Sequence, residues 1–289
     1  MDDAFATAVR ESTRKLRDGE VMVRAGNELE GVHLMRTSSR RLRASVRYLG
    51  GHLGPAREPL KRGLKRLMAA LGPLRDVDVL ATAVAGVPME PADATRLRES
   101  VVARRERPLA RMREAIDGME YRALLADLDG APASGGPATT LFAPARISRA
   151  VADALSHRPD DWTAATDESL HELRKSIKKL RYALEAFAPA YGRPVARMMS
   201  GCRDLQETLG AIQDAAMFSD ILRGVRSFAA GQFVATIRGR ADGVRVRLPD
   251  LWQKAFGPRM LGKLGAHLLR RSVKRPDETP EVPASSQSA

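Results

Sequence analysis

Residues 170–185 have the sequence LHELRKSIKKLRYALE, which is typical of a helix with two opposed faces. Because an α-helix turns by about 100° per residue, positions i, i+3, i+7 and i+10 form one stripe along it. The cationic stripe consists of His171, Arg174, Lys178 and Arg181. The apolar stripe on the opposite side consists of Leu173, Leu180, Leu184 and Phe187. The predicted helix therefore has an apolar side to bury and a basic side to present to a partner.

The same pattern occurs earlier, at residues 32–46, with the sequence VHLMRTSSRRLRASV. Its cationic stripe consists of His33, Arg36, Arg40 and Arg43, and its apolar side of Met35, Leu42, Val46 and Leu49. A second pair of segments also matches, LGPLRDVDVL at 71–80 and LGAIQDAAMF at 209–218. The two stripe histidines are 138 residues apart, and so are Leu71 and Leu209. Two motifs that keep one spacing indicate an internal duplication.

The remaining chain is patterned as amphipathic helices joined by Gly- and Pro-containing turns, and no segment has the alternation of a β-strand. We therefore predict an all-α fold of two pseudo-symmetric helical bundles of the four-helix type, one from each copy of the duplication. In the second copy, long helices are predicted at 166–188 and 194–222. The predicted boundaries are residues 1–130 for the first bundle, 131–144 for a linker, 145–271 for the second bundle and 272–289 for a disordered tail.

Composition narrows the class of partner. With 48 Lys and Arg against 35 Asp and Glu, the net charge is +13, which favours a polyanion. Aromatic residues make up 4% of the chain, which argues against a stacking surface for single-stranded nucleic acid. The single cysteine, Cys202, supplies neither an internal disulfide nor a cysteine metal site. Because the chain begins with the acidic MDDAFATAVR and contains no long apolar run, we expect a cytoplasmic protein with no membrane partner.

A row of basic side chains on a helix is ordinarily a solvated surface, but three features favour a binding role here. The stripe occurs twice at matched positions, and few acidic residues lie at i+4 to neutralise it. A further basic residue precedes the second motif by six positions in both copies, Lys65 before Leu71 and Arg203 before Leu209. Neighbouring like charges destabilise a helix by about 0.2–0.5 kcal/mol per pair. Their presence in both copies favours an anionic ligand that offsets this cost.

Arginine side chains suit phosphate because the planar guanidinium group forms bidentate, charge-assisted hydrogen bonds. Cations that recur about every 5.4 Å, one helical turn, suit a chain of regularly spaced negative charges. For His33 and His171, two interpretations remain open, a helix-start histidine packed against its neighbour or a phosphate donor. We expect mostly neutral imidazole rings near pH 7, because cationic neighbours lower the pKa of histidine.

A metal centre is a further alternative. Glu30 and Glu168 each precede a stripe histidine by three residues, as in di-iron helical bundles. Such a site needs more acidic ligands, and Asp76 and Asp214 are the matched acids. We expect these aspartates to orient stripe residues, with a catalytic carboxylate as the alternative. Because the stripe cations would repel a divalent ion, we expect neither a metal nor a cofactor. The chain contains no P-loop, no G-x-S-x-G and no HExxH motif.

The four segments together resemble the CHAD family, whose name stands for conserved histidine α-helical domain. The matching segments, in the order of the family, are VHLMRTSSRRLRASVRYL, LGPLRDVDVL, LHELRKSIKKLRYALEAF and DLQETLGAIQDAAMFSDIL. The resemblance implies two pseudo-symmetric four-helix bundles around a basic groove that binds inorganic polyphosphate, and an association with polyphosphate granules. The implied phosphate-binding residues are His33, Arg36, Arg40, Arg43, Lys65, His171, Arg174, Lys178, Arg181 and Arg203.

The two copies differ in the number of basic residues on their stripes. Thr37, Ser38 and Ser39 make the first stripe less basic than the second, which also carries Lys175 and Lys179. We therefore expect the halves to contribute unequally.

The leading hypothesis is a non-enzymatic polyphosphate-binding protein, with other granule proteins as further candidate partners. A nucleic-acid-binding protein is the first alternative, which the low aromatic content disfavours. A metal-dependent phosphohydrolase is the second.

Overall fold

The computed structural model describes residues 4–48, 50–131 and 139–273. The predicted linker at 131–144 lies in part outside these ranges, and the predicted tail at 272–289 lies almost wholly outside them. Within these ranges the chain is helical and has no β-strand, which confirms the predicted all-α fold. No helix in the described ranges is both long and apolar enough to cross a membrane. The predicted boundaries and the internal duplication stay predictions.

The helices follow one another with short connections. They are α1 (Ala4–Arg24), α2 (Glu28–Tyr48), a 3₁₀ segment (Gly50–Ala56), α3 (Arg57–Ala85), α4 (Pro91–Ala103), α5 (Glu106–Asp117), α6 (Met119–Asp129), α7 (Thr139–Ser156), α8 (Asp167–Ile221), α9 (Phe228–Arg245), α10 (Leu248–Phe256) and α11 (Pro258–Val273). We refer to α1–α6 as the first half and to α7–α11 as the second half.

Helix α8 reverses direction within its length. His171 and Gln213 are 42 residues apart, and a straight helix would separate them by about 63 Å at 1.5 Å per residue. Their side chains instead share a hydrogen bond, and Arg181 Nε donates to Gln206 Oε1 at 2.5 Å. The helix therefore folds back near residue 192 into two antiparallel arms. These arms correspond to the helices predicted at 166–188 and 194–222.

Glycine residues allow neighbouring helices to approach closely at three crossings. A Cβ atom on Gly19 of α1 would lie 2.8 Å from the carbonyl oxygen of Gly31 of α2, closer than packed atoms approach. On α3, a Cβ atom on Gly63 would lie 3.0 Å from Leu124 of α6. Gly201 of α8, which follows Gly63 by 138 residues, packs in the same way against Ala255 of α10. Both halves thus use a matched glycine for a close helix crossing.

The apolar sides of both stripes are buried, as predicted. Met35, Leu42 and Val46 are fully buried on α2, and so are Leu173 and Leu180 on α8. Leu184 and Phe187 on α8 are buried as well, and Leu49 lies outside the described residues. Burying a side chain of this size stabilises the fold by about 1.5–3 kcal/mol. Each stripe therefore lies on a helix whose back is anchored in the core.

The apolar core is continuous between the two halves. One buried cluster includes Leu16 and Leu64 of the first half together with Leu173 and Leu205 of the second. A smaller cluster joins α3 and α4 to α8 and α9. The Tyr48 hydroxyl also donates a hydrogen bond to the carbonyl oxygen of Lys179 at 2.8 Å. Because α2 packs against α8 in this arrangement, the two basic stripes lie at the boundary between the halves.

Candidate anion-binding site

Five basic side chains converge at the boundary between α2, α3 and α8. This group, the inner cluster, consists of Arg36, Arg40, Arg75, Arg174 and Lys178, and all five side chains are half-buried. The positive charge of Arg40 acts on both Arg174 and Lys178 and lowers their pKa values, after burial as the larger cause. Cations from the two halves therefore share one site.

The inner cluster is not neutralised by salt bridges. Within the described residues, none of its five side chains forms a salt bridge or a hydrogen bond with another group of the protein. Arginines elsewhere behave differently, since Arg17 pairs with Asp129 at 2.5 Å and Arg24 pairs with Asp117 at 2.8 Å. The site thus concentrates positive charge that the protein itself leaves uncompensated.

Two nitrogen atoms of the inner cluster lack a partner although they are buried. They are the Nε atoms of Arg36 and Arg174, the matched arginines of the two stripes, and neither finds an acceptor in the described part of the chain. A buried donor without an acceptor costs about 1–3 kcal/mol. An anion bound beside these guanidinium groups would offset the charge that both halves bring to the site.

Two aspartates lie near the inner cluster. Asp76 acts electrostatically on Arg36, and Asp214 acts on Arg174 and Lys178, but neither carboxylate comes within 4.0 Å of a cationic nitrogen among the described residues. Burial raises the pKa of both carboxyls, and the charge of Asp76 raises that of Asp214 further. The orienting role expected for them and the alternative catalytic role both stay predictions, because neither aspartate forms a salt bridge or hydrogen bond with a stripe residue in the described part of the chain.

Lys178 is the titratable cation of the inner cluster. Burial, followed by the charges of Arg174 and Arg40, lowers the pKa of Lys178 to about 8. The arginines keep their charge throughout the physiological range. An anion bound beside Lys178 would favour its protonated form and raise its pKa again.

The two stripe histidines have different neighbours. The pKa of His33 is lowered by partial burial and by the charges of Arg75 and Arg40, in line with the expected neutral ring. His171 instead forms a hydrogen bond with the side chain of Gln213. Gln213 follows Arg75 by 138 residues, so the same position carries a cation in one half and a neutral amide in the other.

Besides the two histidines, four of the residues expected to bind phosphate lie outside the inner cluster. Arg43, Lys65 and Arg203 are exposed, and within the described ranges their side chains form no salt bridge or hydrogen bond. Arg181 is engaged by the protein, since it forms a salt bridge with Glu185 and lies 4.6 Å from the centre of the Tyr182 ring. The structure therefore brings together the middle of each stripe and leaves its far end apart.

The extra lysines of the second stripe are neutralised locally. Lys175 pairs with Glu172 at 2.5 Å, and Lys179 pairs with Asp153 at 3.1 Å. In the first stripe, Ser38 and Ser39 are buried and contribute nothing to the basic surface. The excess of lysine in the second copy therefore adds little uncompensated charge.

A cleft of about 510 Å³ adjoins the inner cluster. It lies between α1, α2 and the first arm of α8, and Arg40 belongs to both the cleft and the inner cluster. Its other polar lining residues include Arg41, Arg181, Tyr182, Glu11 and Glu185. A ligand longer than the inner cluster could continue along this cleft.

Sequence reasoning missed Arg75 and Tyr182. Arg75 stands beside Asp76 in the repeated motif, but its counterpart in the second copy is Gln213, so a comparison of identical positions passes over it. Tyr182 lies close enough to Arg36 and Arg174 to affect both electrostatically. Its counterpart in the first copy is Ala44, which carries no comparable signal.

A metal site is not apparent in the described ranges. No three side chains of His, Cys, Asp or Glu there lie close enough together to hold an ion. Glu30 and Asp76 therefore do not form, with His33, the ligand group considered above.

Comparison with known proteins places this geometry in context. A model of the CHAD domain family matches residues 7–223. The crystal structure of the CHAD domain from the plant Ricinus communis superposes with a TM-score of 0.66 at 23% identity, over 93% of this chain and 91% of that one. PptA from Streptomyces chartreusis superposes with a TM-score of 0.58 at 21% identity, over 88% and 99%. At these identities the likeness concerns the fold. No curated protein sequence matches the chain.

Proposed function

The chain belongs to the CHAD domain family, and we propose that it binds inorganic polyphosphate at the inner cluster without hydrolysing it. One observation carries the proposal: half-buried cations from both halves meet there with no salt bridge among the described residues. Two of them, Arg36 and Arg174, also have a buried Nε without an acceptor. Polyphosphate offers a negative charge and several acceptor oxygens at every unit, which is the complement of this surface.

The cleft favours a thin chain over a nucleic acid duplex. It lies between three helices and has a volume of about 510 Å³, which suits a thin single chain better than a duplex. Tyr182 is the aromatic residue in its lining, which offers little for the stacking of single-stranded bases. These features support polyphosphate over the nucleic-acid alternative.

Binding without turnover is the second part of the proposal. The cations of the inner cluster would stabilise a bound anion, but a reaction also needs a positioned base or metal. The phosphohydrolase alternative predicts phosphate release from polyphosphate with Mn²⁺ or Fe²⁺, and loss of that release in His33→Ala or His171→Ala. We expect no release with any of several divalent metals.

We expect the polyphosphate-bound protein on granules in the cytoplasm, with other granule proteins as candidate partners. A fluorescent fusion should gather on granules in cells that store polyphosphate. The variant Arg36→Gln/Arg174→Gln should stay dispersed at equal expression. Granule recruitment of this variant would show that another surface directs the protein there.

Calorimetric titration with long-chain polyphosphate at two salt concentrations tests the ligand class, with duplex DNA as the control. We expect saturable binding to polyphosphate that weakens steeply with salt, by the counterion release known for DNA. We expect much weaker binding to DNA. Equal affinity for both polymers would reduce the site to a generic basic surface and favour the nucleic-acid alternative.

A further inference from the structure

A second pocket, of about 370 Å³, lies between α3, the second arm of α8 and α9. Its position differs from that of the cleft, which lies between α1, α2 and the first arm of α8. Its volume is at the small end of the range of about 300–1,000 Å³ typical of small-molecule sites. The pocket therefore admits a small molecule rather than a polymer or a helix.

The walls of this pocket are mostly apolar. They are formed by Val79 and Ala83 of α3, Phe218 of α8, and Ile237 and Val244 of α9. Phe218 is 4% exposed and packs against Phe233, with ring centres 5.9 Å apart. The floor is thus the smaller apolar cluster that joins the two halves, which gives the pocket a rigid base.

Two arginines provide positive charge at the pocket. Arg75 is half-buried and Arg240 is exposed, and neither side chain forms a salt bridge or hydrogen bond within the described residues. Asp214 also lines the pocket, and its carboxylate interacts with the charges of Arg174, Lys178 and Arg75 without a salt bridge in the described part of the chain. The lining thus combines an apolar wall with two cations against one acid, which leaves a net positive charge at one side.

We infer that this pocket binds a small amphipathic anion, with an aliphatic part against the apolar wall and a phosphate or carboxylate group on Arg75 and Arg240. Apolar walls with few convergent polar groups are the usual composition of a small-molecule site. Charge complementarity selects an anion over a cation, and the volume selects a short chain over a long lipid. Polyphosphate has no apolar part and would leave this wall exposed to water.

Arg75 belongs both to the pocket and to the inner cluster. An anion that holds Arg75 in the pocket withdraws one cation from the inner cluster. The amphipathic anion should therefore weaken polyphosphate binding, a consequence that rests on the proposed function. Binding of the amphiphile itself is measured without polyphosphate, so failure of either idea can be told from failure of the other.

Titration of the purified protein with butyl, hexyl and octyl phosphate tests the pocket, with inorganic phosphate, octanoate and octanol as comparison ligands. Affinity should rise about fourfold with each methylene that is buried. Octanoate should bind if the arginines accept either anionic group, whereas failure of octanoate alone would assign the site to phosphates. Octanol should bind much more weakly. Affinity that stays flat along the alkyl series, at the level of inorganic phosphate, would overturn the inference.

Variants of the wall and of the charged side locate the binding. Ala211→Phe places a ring into the pocket from an exposed position of α8, and it should abolish the dependence on chain length. Thr82→Trp, at an exposed position of α3, should do the same and serves if the first variant folds poorly. Ala110→Phe, at an exposed position of α5, is the matched control. Octyl phosphate binding as tight as wild type in both filled variants would overturn the assignment.

Arg240→Gln should weaken octyl phosphate about tenfold, because it removes a hydrogen bond to a charged group. The weak binding of octanol should not change. Arg259→Gln, at an exposed position of α11, is the matched control for the loss of one positive charge. Equal weakening by both variants would assign the effect to net charge and contradict a site at Arg240.

Discussion

The first stripe, on α2, and the second, on the first arm of α8, agree in the middle and differ at the ends. Arg36 and Arg174 are both half-buried, both carry a buried Nε without a partner, and each faces a matched aspartate. At the far end, Arg43 is exposed, whereas Arg181 is held by Glu185. Where the stripes face each other, neither half neutralises its arginine with a salt bridge. At the far end, the first half leaves its arginine in solvent and the second pairs its arginine with a glutamate.

The two halves also differ in how the charge they contribute to the inner cluster depends on pH. In the inner cluster the first half contributes Arg36, Arg40 and Arg75, which stay charged, whereas the second contributes Arg174 and the titratable Lys178. The position that matches Arg75 is the neutral Gln213. The contribution of the first half to binding at the shared site should therefore not depend on pH within the physiological range, whereas the contribution of Lys178 should fall as the pH rises.

The largest loss of polyphosphate affinity should follow removal of the matched arginines that both halves contribute to the inner cluster. Arg36→Gln together with Arg174→Gln should weaken polyphosphate binding about 100-fold, because hydrogen bonds to charged groups contribute about 1.5–3 kcal/mol each. Calorimetry of this variant should be compared with Arg98→Gln/Arg122→Gln, which removes the same charge from exposed positions. If the two double variants bind alike, only net charge matters and the matched site does not exist.

The next effect separates the halves by pH. Lys178→Met and Arg40→Met should each weaken binding about tenfold near pH 7, where both side chains are charged. Because the pKa of Lys178 in the free protein is about 8, the affinity of the wild type should fall as the pH rises through that value. The fall should persist in Arg40→Met and vanish in Lys178→Met. A fall of equal size in both variants would assign it to another group.

A smaller change in polyphosphate affinity should follow when the residues at the matched positions 75 and 213, which differ between the halves, are exchanged. Arg75→Gln should weaken binding about fivefold and Gln213→Arg should strengthen it about fivefold, since one charge at contact distance contributes about 1 kcal/mol in water. The two changes should offset each other in the double variant, as measured by the same titration. A loss of affinity in Gln213→Arg would mean that its bond to His171 matters more than charge.

The smallest effects belong to the ends of the stripes. Glu185→Gln should free Arg181 from its salt bridge within the cleft and strengthen binding about twofold, because a salt bridge near the protein surface contributes about 0–1 kcal/mol. Arg43→Gln should weaken binding by a similar factor. The salt dependence of affinity, which reports the number of cations engaged, checks both variants. A tenfold loss in Arg43→Gln would move the site outward along α2.

The local sequence pattern predicted the helices that carry the site, but it did not predict that the two helices pack against each other. The spacing of Leu173, Leu180 and Arg174 is a property of one helix, and it predicted both the buried and the basic side of α8. The all-α fold follows from the same periodicity. That Arg40 lies beside Arg174 depends on packing between α2 and α8, which no local pattern contains. The sequence alone therefore left open whether the halves share one site.

Side-chain pairing between helices was equally hidden. Lys175 and Lys179 look like additional binding residues in the sequence, and they become neutral surface through Glu172 and Asp153. The Asp153 pair joins α7 to α8, so only the packing of these helices reveals it. Arg75 escaped notice for the opposite reason, since its partner position in the second copy carries no charge.

The central claim is that cations of both halves act on one ligand, and the stoichiometry of a short polyphosphate of defined length tests it most directly. Calorimetric titration should give one chain bound per protein, and Arg36→Gln or Arg174→Gln alone should weaken that single binding event. Two chains bound per protein, with each variant losing one of them and leaving the other intact, would contradict a shared site.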